Sequence, residues 1–295
     1  MGSFGTLDRD TVVHTTPLSR LDLTGKRLTV IGGTNGLGQA VAQQALALGA
    51  DVTVVGRTLR DAPHERLRFV KADLSSMSEA LRLGEELPVE AEDVVLFTNG
   101  ITAAKAREET PEGVERDMAV SYLSRYALLR GLDPRIGAGR SARARVFVMA
   151  GPGGDQDGNP DDLNALTGYN QNTAHMNTVA ANEALTVNGA GSETGPAYFG
   201  LNPGLVKTDI RANYLGEGSF AHRATETLVG MLAQSARTYA RRIVPLLFTA
   251  DLDGRTGLMF DRKARPIRPS LGMTPDRVES FMTASDSLLR HALSS

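Results

Sequence analysis

Three glycines, Gly32, Gly36 and Gly38, give this sequence its first hint of chemistry. They lie between a short apolar run, Leu28 to Ile31, and an Ala-rich helical pattern from Gln39 through Ala50. A strand, a glycine turn and a helix in that order form a phosphate-binding device. Gly32 permits a sharp exit from the strand, and Gly36 lets backbone approach a pyrophosphate. Gly38 removes a side chain where helix and sheet pack closely. The helix then aims its unpaired N–H groups and positive dipole end at the anion. Other chemistries find less support. The chain has no cysteine, which excludes disulfides, thiolate catalysis and Cys-type zinc sites. His14, His64, His175, His222 and His291 are scattered without metal-ligand spacing.

The elements that must position such a site follow from length and pattern. A chain of 295 residues with a net charge of −2 fits one α/β layer domain, and its charge gives no reason to expect nucleic acid or an anionic membrane as partner. No apolar run approaches a membrane span. Asp8, Arg9 and Asp10 stand where a signal peptide would need an apolar core, so a cytoplasmic protein is expected. Residues 1–24 read as an arm on the surface of a domain covering 25–295. Apolar runs predict strands at Asp51–Gly56, Leu67–Lys71, Asp93–Phe97, Ala144–Met149, Ala197–Leu201 and Gly257–Phe260. Helical periodicity covers about Gly113 to Leu132 and Arg237 to Phe248. A tail helix opens at Thr274 and Pro275. Asp73 is a good N-cap for a helix starting near Met77.

The spacing Gly32-x3-Gly36-x-Gly38 resembles the TGxxxGxG fingerprint of the short-chain dehydrogenase/reductase family, with Ile31 where that family usually has Thr. The resemblance extends from about Leu21 to Phe260. It implies a Rossmann-type, doubly wound parallel sheet with helices on both faces, in a single domain. It also implies a nicotinamide cofactor held by Gly32, Thr34, Asn35, Gly36, Leu37 and Gly38. Arg57 follows the second strand, where the family meets the adenosine ribose; an Arg there suits a 2′-phosphate, so NADP(H) is expected over NAD(H). Asp73 and Leu74 correspond to the pair set against the adenine ring. Gly100 matches the glycine beside the adenosine half. Pro203, Gly204 and Thr208 match the segment that holds the nicotinamide amide and the pyrophosphate. The stretch from Asn213 to about Ala233 corresponds to a lid over the substrate. The last elements are those through which standard relatives often dimerise, which suggests a homo-oligomer.

The family's proton relay is another matter. Its Asn aligns with Ser121, and its Ser with Ala150 or Gly151, neither of which has a hydroxyl. Its Tyr-x-x-x-Lys pair falls on Tyr169 and Thr173 in one register, or on Gln171 and His175 in another. Neither yields a lysine, because none lies between Lys105 and Lys207. Several residues could replace the relay. Asp161 or Asp162, in the enlarged loop after the fifth strand, could donate a proton if burial raises its pKa, although a capping role competes. His175 titrates near neutrality, although a structural role competes equally. Tyr169 could act unaided, slowly at neutral pH. The leading expectation is an NADPH-dependent reductase of a small carbonyl, imine, iminium or activated-alkene substrate, with a non-standard acid. The alternatives are an enzyme that keeps the cofactor and catalyses a non-redox cyclisation of the Diels–Alder kind, and a non-catalytic NADP-binding protein.

Overall fold

A computed structural model gives the structure, and it describes residues 5–204 and 222–294, with side chains in the second stretch from residue 235 onward. Seven strands run parallel: β1 (Arg27–Ile31), β2 (Asp51–Gly56), β3 (Leu67–Lys71), β4 (Val94–Phe97), β5 (Arg145–Met149), β6 (Ala197–Leu201) and β7 (Met259–Phe260). A short antiparallel strand, β8 (Pro266–Ile267), closes the edge, giving the order 3-2-1-4-5-6-7-8. The order reverses between β1 and β4, which opens a crevice at the carboxyl ends of those strands. β4, β5 and β6 are buried along their whole length, as continuous apolar runs under two helical layers should be.

The helices are α1 (Gly36–Ala47), α2 (Met77–Glu86), α3 (Arg116–Met118), α4 (Ser124–Leu132), α5 (Gln171–Ala190), α6 (His222–Leu247) and α7 (Pro275–Ser294). A π turn over Ala119–Leu123 joins α3 to α4, so the predicted Gly113–Leu132 helix starts later and carries one wide turn. One core layer packs α2, α4, α5 and α7 on the sheet through Met77, Leu83, Tyr122, Leu128 and Phe281. The other packs α1 and α6 through Val41, Ala45, Ile243 and Leu247. The amphipathic helix predicted from Arg237 is the second half of α6, which is continuous from His222. Of the expected lid, residues 213–221 lie outside the described residues, as does Thr208.

The expected cap of α2 is corrected. Ser76, not Asp73, is the N-cap, and its hydroxyl accepts from Glu79 N–H. Asp73 instead closes the turn before it, accepting from Ser75 N at 3.0 Å and Ser75 Oγ at 2.8 Å. Glu112 reinforces this start, reaching across to accept from Met77 N, Ser78 N and the Ser76 hydroxyl. The arm lies along β8 and the segment after α6. Leu7 bridges Ile267, Asp8 N donates to Pro266 O, and Arg268 N donates to Thr6 O. Farther on, the His14 ring contacts Asp251 at 2.9 Å.

Below the sheet, Glu92 is 6% exposed and one carboxylate oxygen has no partner among the described residues. Burial, with the charge of Asp93 adding, pushes its pKa up to about 7 against the opposing pull of Arg27 and Arg140. The unfolded chain ionises this group near 4.5, so the folded state binds the extra proton between these values. The contribution of Glu92 to stability is therefore complete below pH 4.5 and is lost as pH rises through 7, about 3 kcal/mol in total. Glu92→Gln should flatten that decline. Thermal melts across pH should show the variant more stable above pH 7 and level with the parent in acid.

Candidate active site

The glycine turn forms a cradle whose two sides differ. A Cβ on Gly32 would stand 2.4 Å from the Asn99 backbone N, and one on Gly38 would stand 2.2 Å from Thr98 Oγ1. Both glycines therefore let α1 and the exit of β1 press against the exit of β4. Gly36 (φ +57°) faces open space, with nothing within 4 Å of a Cβ built there. The Asn35 side chain makes no capping bond, so the first-turn amides of α1 lack that partner. A pyrophosphate fits this combination of room and unspent N–H groups. Thr34 packs against Gly56 at the end of β2, and Leu37 packs on the core.

At the adenosine end, Arg57 is exposed where β2 terminates, and Leu74 is buried beneath. Burial works against ionisation of Asp73, but the Ser75 bonds and the charge of Arg57 outweigh it and hold the carboxyl below its usual range. Asp61 is drawn onto α1 by Gln39 Nε2 (2.9 Å) and Gln43 Nε2 (2.5 Å). Gly100 is exposed at the β4 exit, beside Ser121. Past β6, Pro203 and Gly204 form a turn in which Asn202 Oδ1 accepts from Gly204 N (2.9 Å). Asn202 Nδ2 also donates to Pro152 O (2.8 Å), tying this turn to the β5 exit.

The proton-donor candidates separate cleanly. Asp162 accepts from Leu166 N, Thr167 N and Thr167 Oγ1. Burial would raise its pKa, but those bonds and the charge of Arg107 hold it below the ordinary carboxylate range. The expectation of a donor there is corrected: an acid ionised so readily has no proton to give at neutral pH, and the side chain closes a turn. Tyr169 precedes α5, which Asn170 caps, so Tyr169 and Thr173 are not successive turns of one helix. Its hydroxyl donates to Ala104 O at 2.7 Å. Burial, with the charges of Glu115, Asp117 and Glu108, raises its pKa further.

His175 has a different setting. It sits on the first turns of α5, and its Nδ1 lies 2.7 Å from Asp117 Oδ2. Asp117 is fully buried, and its other oxygen accepts from Ser121 Oγ at 2.5 Å. Ser121 Oγ in turn accepts from Ile101 N at 2.9 Å, just past Gly100. Val179, one helical turn after His175 and on the same face, has its Cγ1 3.9 Å from a Cβ built on Gly151. That face of α5 thus looks over the exits of both β4 and β5. Burial alone would lower the His175 pKa, but the Asp117 hydrogen bond and the charges of Asp117 and Glu115 raise it overall. The ring remains partly open to solvent, its side chain 32% exposed. A buried carboxylate orienting a half-exposed, readily protonated imidazole is an acid–base pair.

Two residues of this site escaped the sequence reading. Asp117 and Arg125 lie among Met118, Tyr122 and Leu123 on a buried helix. Their signal was a polar residue at every fourth position, 117, 121 and 125, on a helix otherwise apolar toward the core.

No family model matches the chain. An uncharacterized oxidoreductase of Saccharomyces cerevisiae is 43% identical over 283 residues, 94% of this chain and 92% of that one. A candidate daunorubicin C-13 ketoreductase of Streptomyces sp. (strain C5) is 26% identical over 245 residues, covering 76% of this chain and 83% of its own. Among solved structures, an uncharacterized protein from Mycobacterium paratuberculosis aligns with a TM-score of 0.70 at 20% identity, over 94% of this chain and 98% of that chain. A short chain dehydrogenase from Salmonella enterica aligns with a TM-score of 0.58 at 16% identity, over 85% of this chain and the whole of that chain.

Proposed function

The chain belongs to the short-chain dehydrogenase/reductase family, and from that premise we propose that it is an NADPH-dependent reductase in which His175, oriented by Asp117, supplies the proton. The observation that carries this reading is the 2.7 Å contact between His175 Nδ1 and a fully buried Asp117, beside the exits of β4 and β5. The carbonyl, imine or activated alkene would enter between α5 and those strand ends. A nicotinamide cofactor held by the glycine cradle and the Pro203–Gly204 turn would supply hydride chemistry there. His175 gives a proton to the atom that gains negative charge, becomes neutral, and regains a proton from solvent through its open edge. Asp117 fixes the ring and stabilises its protonated form. Ser121 holds Asp117 in place and anchors the β4 exit through Ile101 N. The relative named as a ketoreductase supports a ketone as the first substrate class to try.

Preference for NADP(H) rests on Arg57, with its nearest acid in sequence, Asp61, turned toward Gln39 and Gln43. Arg57→Ala should raise the KM for NADPH about 10- to 100-fold, the worth of a charge-assisted hydrogen bond. KM for NADH should change little; steady-state kinetics with both cofactors checks this. The function itself is tested by incubating the protein with NADPH and a panel of ketones, imines and enones. Reduction of one of them, with a rate that falls on the alkaline side, is expected. Product formed equally well with NADP⁺ would identify a cyclase instead.

A further inference from the structure

Arg125 is a buried cation whose hydrogen bonds among the described residues all go to uncharged oxygens. It is 2% exposed, and Nη1 donates to Met149 O (3.0 Å) and Asn182 Oδ1 (2.9 Å), while Nη2 donates to Asn99 O. Its Nε is buried with no partner among the described residues. Interior charges normally persist because a counter-charge compensates the lost hydration. The nearest compensation follows the helix backward. A Cβ built on Gly100 would stand 3.9 Å from Arg125 Nη2 and 3.5 Å from Ser121 Oγ, so these two groups flank that glycine. Ser121 Oγ bonds Asp117, and Asn182 Nδ2 donates to Ser121 O at 2.9 Å. Arg125, Asn182, Ser121, Asp117 and His175 therefore form one connected string. A cation stands at its inner end, a fully buried carboxylate in the middle, and a partly exposed imidazole at its outer end.

That order matters during turnover. While His175 is protonated, Asp117 has a counter-charge in contact. Once the proton has left, the ring is neutral and the buried carboxylate depends on whatever other cation lies within reach. We propose that Arg125 is a positioning residue for proton donation: its fixed charge keeps Asp117 ionised after His175 has given up its proton, and so makes His175 the stronger acid. The proposal rests on His175 being the donor. Arg125 can serve because it stays charged at neutral pH; burial pulls its pKa down to about 9, and Asp117 acts in the opposite direction. The other charged or titratable groups around His175 are Glu115 before α3, Tyr169 before α5, and Arg107, which acts on both of these. None of these reaches Asp117 from the inner side along the string.

The test compares the full-length protein with Arg125→Met, Arg125→Lys, Asp117→Asn and the double variant Arg125→Met/Asp117→Asn. The His175 ring is titrated by NMR in each, its signals assigned by their loss in His175→Gln, and the alkaline limb of kcat is recorded alongside. Losing a nearby cation disfavours the neutral-ring state, so Arg125→Met should move both titration and limb to higher pH, by about half to one unit. It should also slow kcat near neutrality by up to about tenfold, the acidity lost with one unit, while Arg125→Lys restores the limb. In the Asp117→Asn background, Arg125→Met should cause no further displacement, as coupling through Asp117 requires. A titration in Arg125→Met that coincides with the parent overturns the proposal, and so does a shift that persists undiminished without Asp117. Should the Met variant fail to fold, Arg125→Lys decides: a parental limb supports a charge role, and a displaced one refutes it. A parental pH limb in His175→Gln would instead remove the premise that His175 is the donor.

Discussion

His175→Gln should slow substrate reduction by about 10²- to 10⁴-fold, the usual contribution of a positioned acid, while NADPH binds as before. Gln keeps a polar side chain of similar reach but cannot protonate a developing alkoxide or amide. The His175 ring bonds Asp117 rather than a residue of the glycine cradle, so cofactor binding should not register the change. A calorimetric titration with NADPH and a single-turnover rate, measured on the same sample, separate the two effects. The pH dependence follows from the sign of the shift. Because Asp117 and Glu115 lift the His175 pKa above 6.5 in spite of burial, the acid form predominates at pH 6.5 and below. Activity is lost as pH rises through the higher, folded-state value. The stabilisation contributed by the His175–Asp117 pair disappears over the same interval. In Asp117→Asn the burial effect loses its main opposition, and the alkaline limb should move to lower pH. An unchanged limb in that variant would separate His175 from the chemistry.

Gly32→Ala and Gly36→Ala should fail in opposite ways, although both glycines have positive φ and lie in one turn. At Gly32 (φ +85°) an added Cβ meets the backbone N of Asn99 at 2.4 Å and its Cα at 2.6 Å. No rotamer relieves an overlap with backbone, so the exits of β1 and β4 must separate. With the cost of a left-handed conformation added, about 3–5 kcal/mol of stability should be lost, enough to leave much of the chain unfolded. At Gly36 (φ +57°) the added methyl meets nothing within 4 Å. Only the conformational cost remains, about 1–2 kcal/mol, and the chain should fold. That methyl nevertheless projects into the room left for the pyrophosphate, so NADPH affinity should fall by at least about 100-fold, near 3 kcal/mol. Thermal melts and calorimetry on both variants check the contrast. A Gly36→Ala protein that folds and binds NADPH normally would mean that the anion does not sit there.

Much of this architecture could be read before any coordinates. Continuous apolar runs such as Val94–Phe97 and Arg145–Met149 identify strands buried on both faces. Gly32, Gly36 and Gly38 announce a turn that must be both tight and empty. What could not be read depends on contacts between residues far apart in sequence. Whether His175 or Tyr169 faces the strand ends depends on where α5 begins, and Asn170 fixes that start by capping Asn172 N and Thr173 N. The importance of Asp117 emerges only when His175, 58 positions later, is brought to 2.7 Å. Asp162 has the composition of a catalytic acid, and the local amides of Leu166 and Thr167 give it another occupation. β8 is two residues long and begins with Pro266, so no periodicity could reveal it.

The bridge between Leu7 and Ile267 has a bearing on solubility. A two-residue terminal strand leaves backbone donors and acceptors on its outer side, an invitation to pair with a neighbouring molecule. Asp8 N and Thr6 O occupy two of those groups, on Pro266 and Arg268. The polar leader thus works as a sealing strip along the sheet margin, and a version of the chain trimmed past Asp10 would present that margin to its neighbours.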